Sequence, residues 1–86
     1  MTETQDLSKR VRSCVCTKNN YSDENIQQLQ QFAEDKCSYL VYGKEVGELN
    51  TPHLQIYFEL RDPMSYKALN KKLPCGFYCH VMIALL

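Results

Sequence analysis

The sequence predicts an α+β fold: βαββαβ, the split βαβ (ferredoxin-like) layout, an antiparallel sheet with two helices on one face. Three observations predict it. The segments read in the order strand, helix, strand, strand, helix, strand. The stretch "HLQIYFEL" (53–60) alternates apolar and polar residues, the period of a strand with one covered face. Between Asp23 and Lys36 the apolar residues Ile26, Leu29, Phe32 and Ala33 recur at three-to-four spacing, the period of an amphipathic helix.

Each element follows in order. "RVRSCVCT" (10–17) is rich in Val and Cys and reads as the first strand. "NNYSDEN" supplies turn residues and then a helix start, with Ser22 as N-cap and Asp23 and Glu24 where the helix dipole favours acids. "CSYLVYGKE" (37–45) is β-branched and aromatic, a second strand, with Gly43 suggesting a bulge or the close approach of another group. "VGELNTP" is a turn and "HLQIYFEL" the third strand. Asp62 is then expected as N-cap and Pro63 as the first residue of a second helix. Tyr66, Leu69 and Leu73 line one face of that helix, Lys67, Lys71 and Lys72 face solvent, and Pro74 ends it. "GFYCHVMIALL" (76–86) reads as a last strand running to the chain end. Residues 1–9 are polar and expected to be loose, which leaves 10–86 as the domain.

With 86 residues this is one small domain. A chain of that size buries only about 60–65% of its unfolded surface, so its core has little margin. Ten basic and ten acidic side chains cancel, which argues against capture of nucleic acid by net charge. Five cysteines are an odd number for a disulfide scaffold, and the polar start "MTETQDLSKR" lacks the apolar core of a secretory signal. Reduced thiols acting as small hydrophobes in an intracellular setting are therefore expected. "CGFYCH" groups Cys75, Cys79 and His80, but the second pair that a structural zinc site needs is missing, since Cys14 and Cys16 are strand neighbours. No run approaches the roughly 18 apolar residues of a membrane span.

The chemistry is concentrated after Pro52. In "HLQIYFEL" the apolar set Leu54, Ile56, Phe58 and Leu60 must face the helices, so His53, Gln55, Tyr57 and Glu59 face the open side of the sheet. His53 and Gln55 then stand roughly 6.5–7 Å apart along the strand, close enough to reach one ion. If "CSYLVYGKE" and "HLQIYFEL" form a hairpin, Glu45 meets His53 near the turn. A carboxylate, an imidazole and a carboxamide suit Mg²⁺ or Mn²⁺ better than zinc. A His-x-Gln pair alone is a weak signal, and a surface histidine is the plainer reading. Tyr57 reads either as a base-stacking side chain or as a strand filler.

Three blocks in order, "VCTKNNY", "YLVYGKE" and "TPHLQIYFEL", together resemble the replication-initiator (Rep) endonuclease domain of small circular single-stranded DNA viruses, the circoviruses, nanoviruses and their kin. The resemblance runs roughly from Val11 to His80. Thr17, Asn19 and Asn20 are similar to that family's first motif. Thr51-Pro52-His53-Leu54-Gln55 is similar to its second, the HUH motif in its His-hydrophobic-Gln form. Gly43-Lys44-Glu45 resembles the corner that carries its acidic metal ligand. The resemblance implies binding of single-stranded DNA at an origin hairpin, with Mg²⁺ or Mn²⁺ held by Glu45, His53 and Gln55. It implies cleavage by a tyrosine that becomes linked to the 5′ phosphate, and later rejoining, in the course of rolling-circle replication. It places DNA recognition at Asn19 and Asn20, with Lys18 beside them, and the site of action in a host nucleus if the chain is viral. Self-association or pairing with a full-length Rep is a further expectation.

One element of the family pattern is missing. The family's nucleophile sits in a Tyr-x-x-Lys motif, and none of Tyr21, Tyr39, Tyr42, Tyr57, Tyr66 and Tyr78 has a lysine three residues on. "VMIALL" stands where the family usually continues with charged residues. A truncated reading, a frame change and a gene fragment all fit. The expectation is a nicking and joining domain without its nucleophile. A non-catalytic single-stranded nucleic-acid-binding module of the RNA-recognition layout and an inactive integrated viral relic stay open as alternatives. The missing glycines and basic residue in "HLQIYFEL" count against the RNA-recognition type.

Overall fold

A computed structural model describes residues 10–74 and 76–81. The expectations for residues 1–9, for Cys75 and for the end of the last strand beyond residue 81 lie outside the described residues. The elements are β1 (Arg10–Asn19), α1 (Asp23–Lys36), β2 (Cys37–Val46), a short 3-10 turn (Glu48–Asn50), β3 (Pro52–Ser65), α2 (Tyr66–Lys72) and β4 (Tyr78–Val81). The strands form one sheet in the order β2-β3-β1-β4, and every neighbouring pair is antiparallel. This is the α+β split βαβ arrangement that the sequence predicts: each helix links two parallel strands with a third strand between them.

The helices cover one face. Leu54, Ile56, Phe58 and Leu60 of β3 are buried beneath Leu29 and Phe32 of α1 and Leu69 and Leu73 of or just after α2. Phe32 meets Phe58 edge to face, with ring centroids 5.2 Å apart. Cys14, Cys16, Cys37 and Cys79 complete the core as free thiols. Cys79 faces this core, so it is turned away from any metal site on the opposite surface. Among the described residues no helix is long and apolar enough to cross a membrane.

Helix α1 begins as its sequence dictates. The Asn25 amide donates to Ser22 Oγ at 3.2 Å, and the Ser22 amide donates to Asn25 Oδ1 at 2.8 Å, a reciprocal cap. Its C-terminal end is held by Arg61, whose guanidinium donates to the carbonyls of Glu34, Asp35 and Cys37.

The second helix starts later than the sequence implies. Asp62 and Pro63 lie in β3, and the N-cap is Ser65, whose Oγ accepts the Ala68 amide at 3.1 Å. The strand continues because β1 is long enough to pair with it there, Val11 with Met64 and Arg10 with Ser65. Pro63 is tolerated for two reasons. It lies beyond Leu60, the last β3 residue matched with β2, and it falls where the β1 ladder is interrupted between Val11 and Ser13. Gly43 also departs from expectation: it pairs in regular register with Gln55, and the irregularity of β2 lies between Cys37 and Tyr39 instead.

Candidate cation and DNA site on the open face

Facing residues of adjacent strands point to the same side, so the register sorts the uncovered face of the sheet into rows across β1, β3 and β2. The rows are Asn19, His53 and Glu45; Thr17, Gln55 and Gly43; Val15, Tyr57 and Val41; Ser13, Glu59 and Tyr39. The first row lies at the hairpin end of the sheet. There the Gly47 amide donates to the Thr51 carbonyl at 2.9 Å and closes the β2–β3 turn.

The expected hairpin therefore brings Glu45 and His53 together. His53 Nε2 lies 3.4 Å from Glu45 Oε1, with the imidazole largely shielded (18% exposed) and the carboxylate more open (58%). The ring rests against Gly47: a Cβ on that glycine would stand 3.5 Å from His53 Cε1. Gln55 occupies the next row, and its Oε1 lies 3.5 Å from the Thr17 hydroxyl, which donates toward it. Among the described residues no group of three or more His, Cys, Asp and Glu gathers in one place. A cation here would thus have the carboxylate and the imidazole as its two strong protein ligands and the Gln55 carbonyl oxygen as a third, neutral one. That oxygen-rich set fits a hard divalent ion that keeps several waters.

The three residues expected to meet DNA are placed differently from one another. Asn19 shares the row of His53 and is exposed. Asn20 is exposed in the left-handed region, φ 53°, and its amide donates to the Pro52 carbonyl at 2.8 Å, which ties the end of β1 to the start of β3. Lys18 pairs with the buried Leu54 and so belongs to the helix side of the sheet. Its ammonium donates to the Asn19 carbonyl at 3.1 Å, and its chain lies over Gly76. Lys67, Lys71 and Lys72 are exposed, as a solvated helix face should be.

Sequence reasoning did not single out Thr17 as a support for Gln55, nor Gly47 as a seat for His53. Only the register reveals the first, since 38 residues separate the two side chains. Tyr57 is on the open face as expected, but its hydroxyl is engaged: it donates to Glu59 Oε2 at 2.7 Å. That hydrogen bond, with some desolvation, raises the phenol above its ordinary range and disfavours the phenolate.

Fold and site define a class: a small split βαβ domain carrying an acid, an imidazole and a carboxamide on the bare face of its sheet. No family model matches the chain. It is similar to the replication-associated protein of Human associated cyclovirus 1, 38% identical over 69 residues that make up 79% of this chain and 25% of that protein. It is 40% identical over 58 residues, 67% of this chain and 20% of the relative, to the replication-associated protein of Beak and feather disease virus. To the replication-associated protein of Pigeon circovirus it is 42% identical over 45 residues, 52% of this chain and 14% of the relative. The chain is a circovirus-like Rep domain. It spans a quarter or less of the length of these curated relatives.

Proposed function

We propose that this chain serves viral-type DNA replication by holding single-stranded DNA and a divalent cation on the open face of its sheet. The names of its relatives support the replication role. The observation that carries the site is the facing Glu45–His53 pair, 3.4 Å apart, with Gln55 one row away. In this reading Glu45, His53 and Gln55 hold Mg²⁺ or Mn²⁺, and such an ion polarises a phosphoryl oxygen of the DNA. Asn19 and Asn20 meet the DNA beside it, at an origin hairpin, in a host nucleus if the chain is viral. Lys18 contributes less, because its ammonium lies on the other side of the sheet.

The family reaction is nicking and joining, and it needs a tyrosine at the phosphate. Tyr57 is four residues along the strand from His53, roughly 13 Å away, and its hydroxyl is committed to Glu59. None of the six tyrosines of these 86 residues has a lysine three residues on, so in this reading these residues by themselves bind DNA without forming the covalent link. Calorimetry with MnCl₂ tests the cation site: heat of binding is expected for the wild type and none for His53→Ala at an unchanged melting temperature. Equal heats from both proteins would refute it. Incubation with an origin-hairpin oligonucleotide and Mn²⁺ should leave no covalent protein–DNA band on a denaturing gel.

A further inference from the structure

We infer that the trough next to the donor set is a subsite for a single nucleobase, seated over Gly43 and against the ring of Tyr57. This inference rests on the reading of the donor set as a phosphate-facing cation site.

The trough has a volume of about 420 Å³ and is lined by Val15, Val41, Gly43, Gln55 and Tyr57, with Tyr42 and Ile56 also bordering it and no charged residue among its lining groups. It occupies the second and third rows of the open face, directly behind the row of Glu45 and His53. A glycine inside a strand weakens it and often marks a bulge, a bend or the close approach of another group, and Gly43 pairs in regular register with Gln55, without a bulge. Here no protein atom lies within 4 Å of the place a Cβ would occupy on Gly43. The space is open, so no packing within the described protein accounts for the glycine, and room is left for a ligand.

The chemistry of the lining selects the occupant. A phosphate or a metal ion has no counter-charge there. A flat, largely apolar ring with a polar edge does fit: Val15 and Val41 flank Tyr57 in one row, and Gln55 stands with Gly43 in the row next to Glu45 and His53. The wall is fixed, because the Tyr57 hydroxyl is anchored on Glu59 and its ring tilts against Tyr39 at a centroid distance of 6.2 Å. Successive rows on one strand are roughly 6.5–7 Å apart. A nucleotide whose phosphate faces Glu45 and His53 therefore has its own base as the nearest flat group able to reach the trough. Stacking on an aromatic ring is tolerant of base identity, which suits a site that grips single strands.

The test uses the whole chain, a short fluorescein-labelled single-stranded DNA, and the same DNA with one base removed at each position in turn. Gly43 has no positive φ, so Gly43→Val is compatible with the strand and fills the trough. The variant is expected to bind the DNA about tenfold more weakly or worse, while its Mn²⁺ isotherm and melting temperature match the wild type. Tyr57→Leu, which keeps bulk and removes the ring face, should weaken binding in the same direction. Removal of one particular base should weaken the wild type about tenfold and leave Gly43→Val unaffected. Wild-type affinity in both variants would overturn the subsite while leaving the cation site standing. Absence of manganese heat in the wild type would overturn both. A wild-type dimer that Gly43→Val converts to monomer, with DNA affinity unaltered, would assign the trough to a second copy of the chain and overturn it too.

Discussion

At the scale of the residue, the described cysteines, Cys14, Cys16, Cys37 and Cys79, behave as core hydrophobes rather than as reagents. A hydrogen bond with Cys79, then burial, pushes the Cys14 thiol far above its ordinary value. Burial pushes Cys37 from 9.0 up to about 11, against a smaller opposing pull from Arg61. For Cys79 the hydrogen bond with Cys14 lowers the value, but that with Cys16 and burial outweigh it and leave it at about 12. A thiolate is thus better tolerated in the unfolded chain than in the folded one. Stability from these groups is complete below about pH 9 and is lost as pH rises through the window from 9 to about 11–12. The melting temperature should therefore be flat near neutrality and fall steadily above pH 9, and iodoacetamide should label these thiols slowly until urea is added. Prompt labelling of Cys14, Cys16, Cys37 or Cys79 in the native protein at neutral pH, read by peptide mass spectrometry, would contradict their burial. The sequence made these thiols legible as apolar because an odd number of cysteines is a poor disulfide scaffold and Cys14 and Cys16 lie in a Val-rich strand segment. It could not show that Cys14, Cys16 and Cys79 share one patch, since that follows from the pairing of β1 with β4.

At the scale of the element, caps decide where helices begin. Ser22 was readable because an N-cap residue, two acids and an apolar period follow one another without interruption. Asp62-Pro63 offered an equally good local signal and was overruled by tertiary pairing, because β1 holds β3 out to Ser65. Local chemistry ranks both starts alike, and only the length of the partner strand separates them. The two starts make opposite predictions. Ser65→Ala should cost about 1 kcal/mol in urea denaturation, whereas Asp62→Ala should cost little, its side chain being exposed and outside the cap. The reverse ranking would restore the earlier start. Arg61 was not flagged by the sequence at all. A cation at a helix C-terminus is visible only when it comes from the same helix, and this one comes from β3. Arg61→Ala should lower stability by about 1 kcal/mol.

At the scale of the whole molecule, one small core carries the fold. Phe58 is fully buried and is pinned edge to face by Phe32. Phe58→Ala should cost about 3–5 kcal/mol, a large share of the roughly 5–15 kcal/mol available to a domain, so its urea midpoint and melting temperature should fall steeply, and a variant with the wild-type midpoint would contradict the single core. The layout itself was legible because the order of periods along the chain admits few topologies. The site was legible in part: alternation along β3 placed His53 and Gln55, and the short turn placed Glu45. The trough was not, because it consists of the absence of a side chain at Gly43 beside residues from two other strands. The hairpin also sets an order of assembly. Glu45 and His53 are joined through a turn of a few residues, so closing that loop costs little chain entropy. Thr17 reaches Gln55 only after pairing across 38 residues. The acid and the imidazole can thus find each other in a nascent hairpin, fleetingly, since two strands alone are marginal in water. Their carboxamide neighbour gains its brace only as the rest of the sheet condenses.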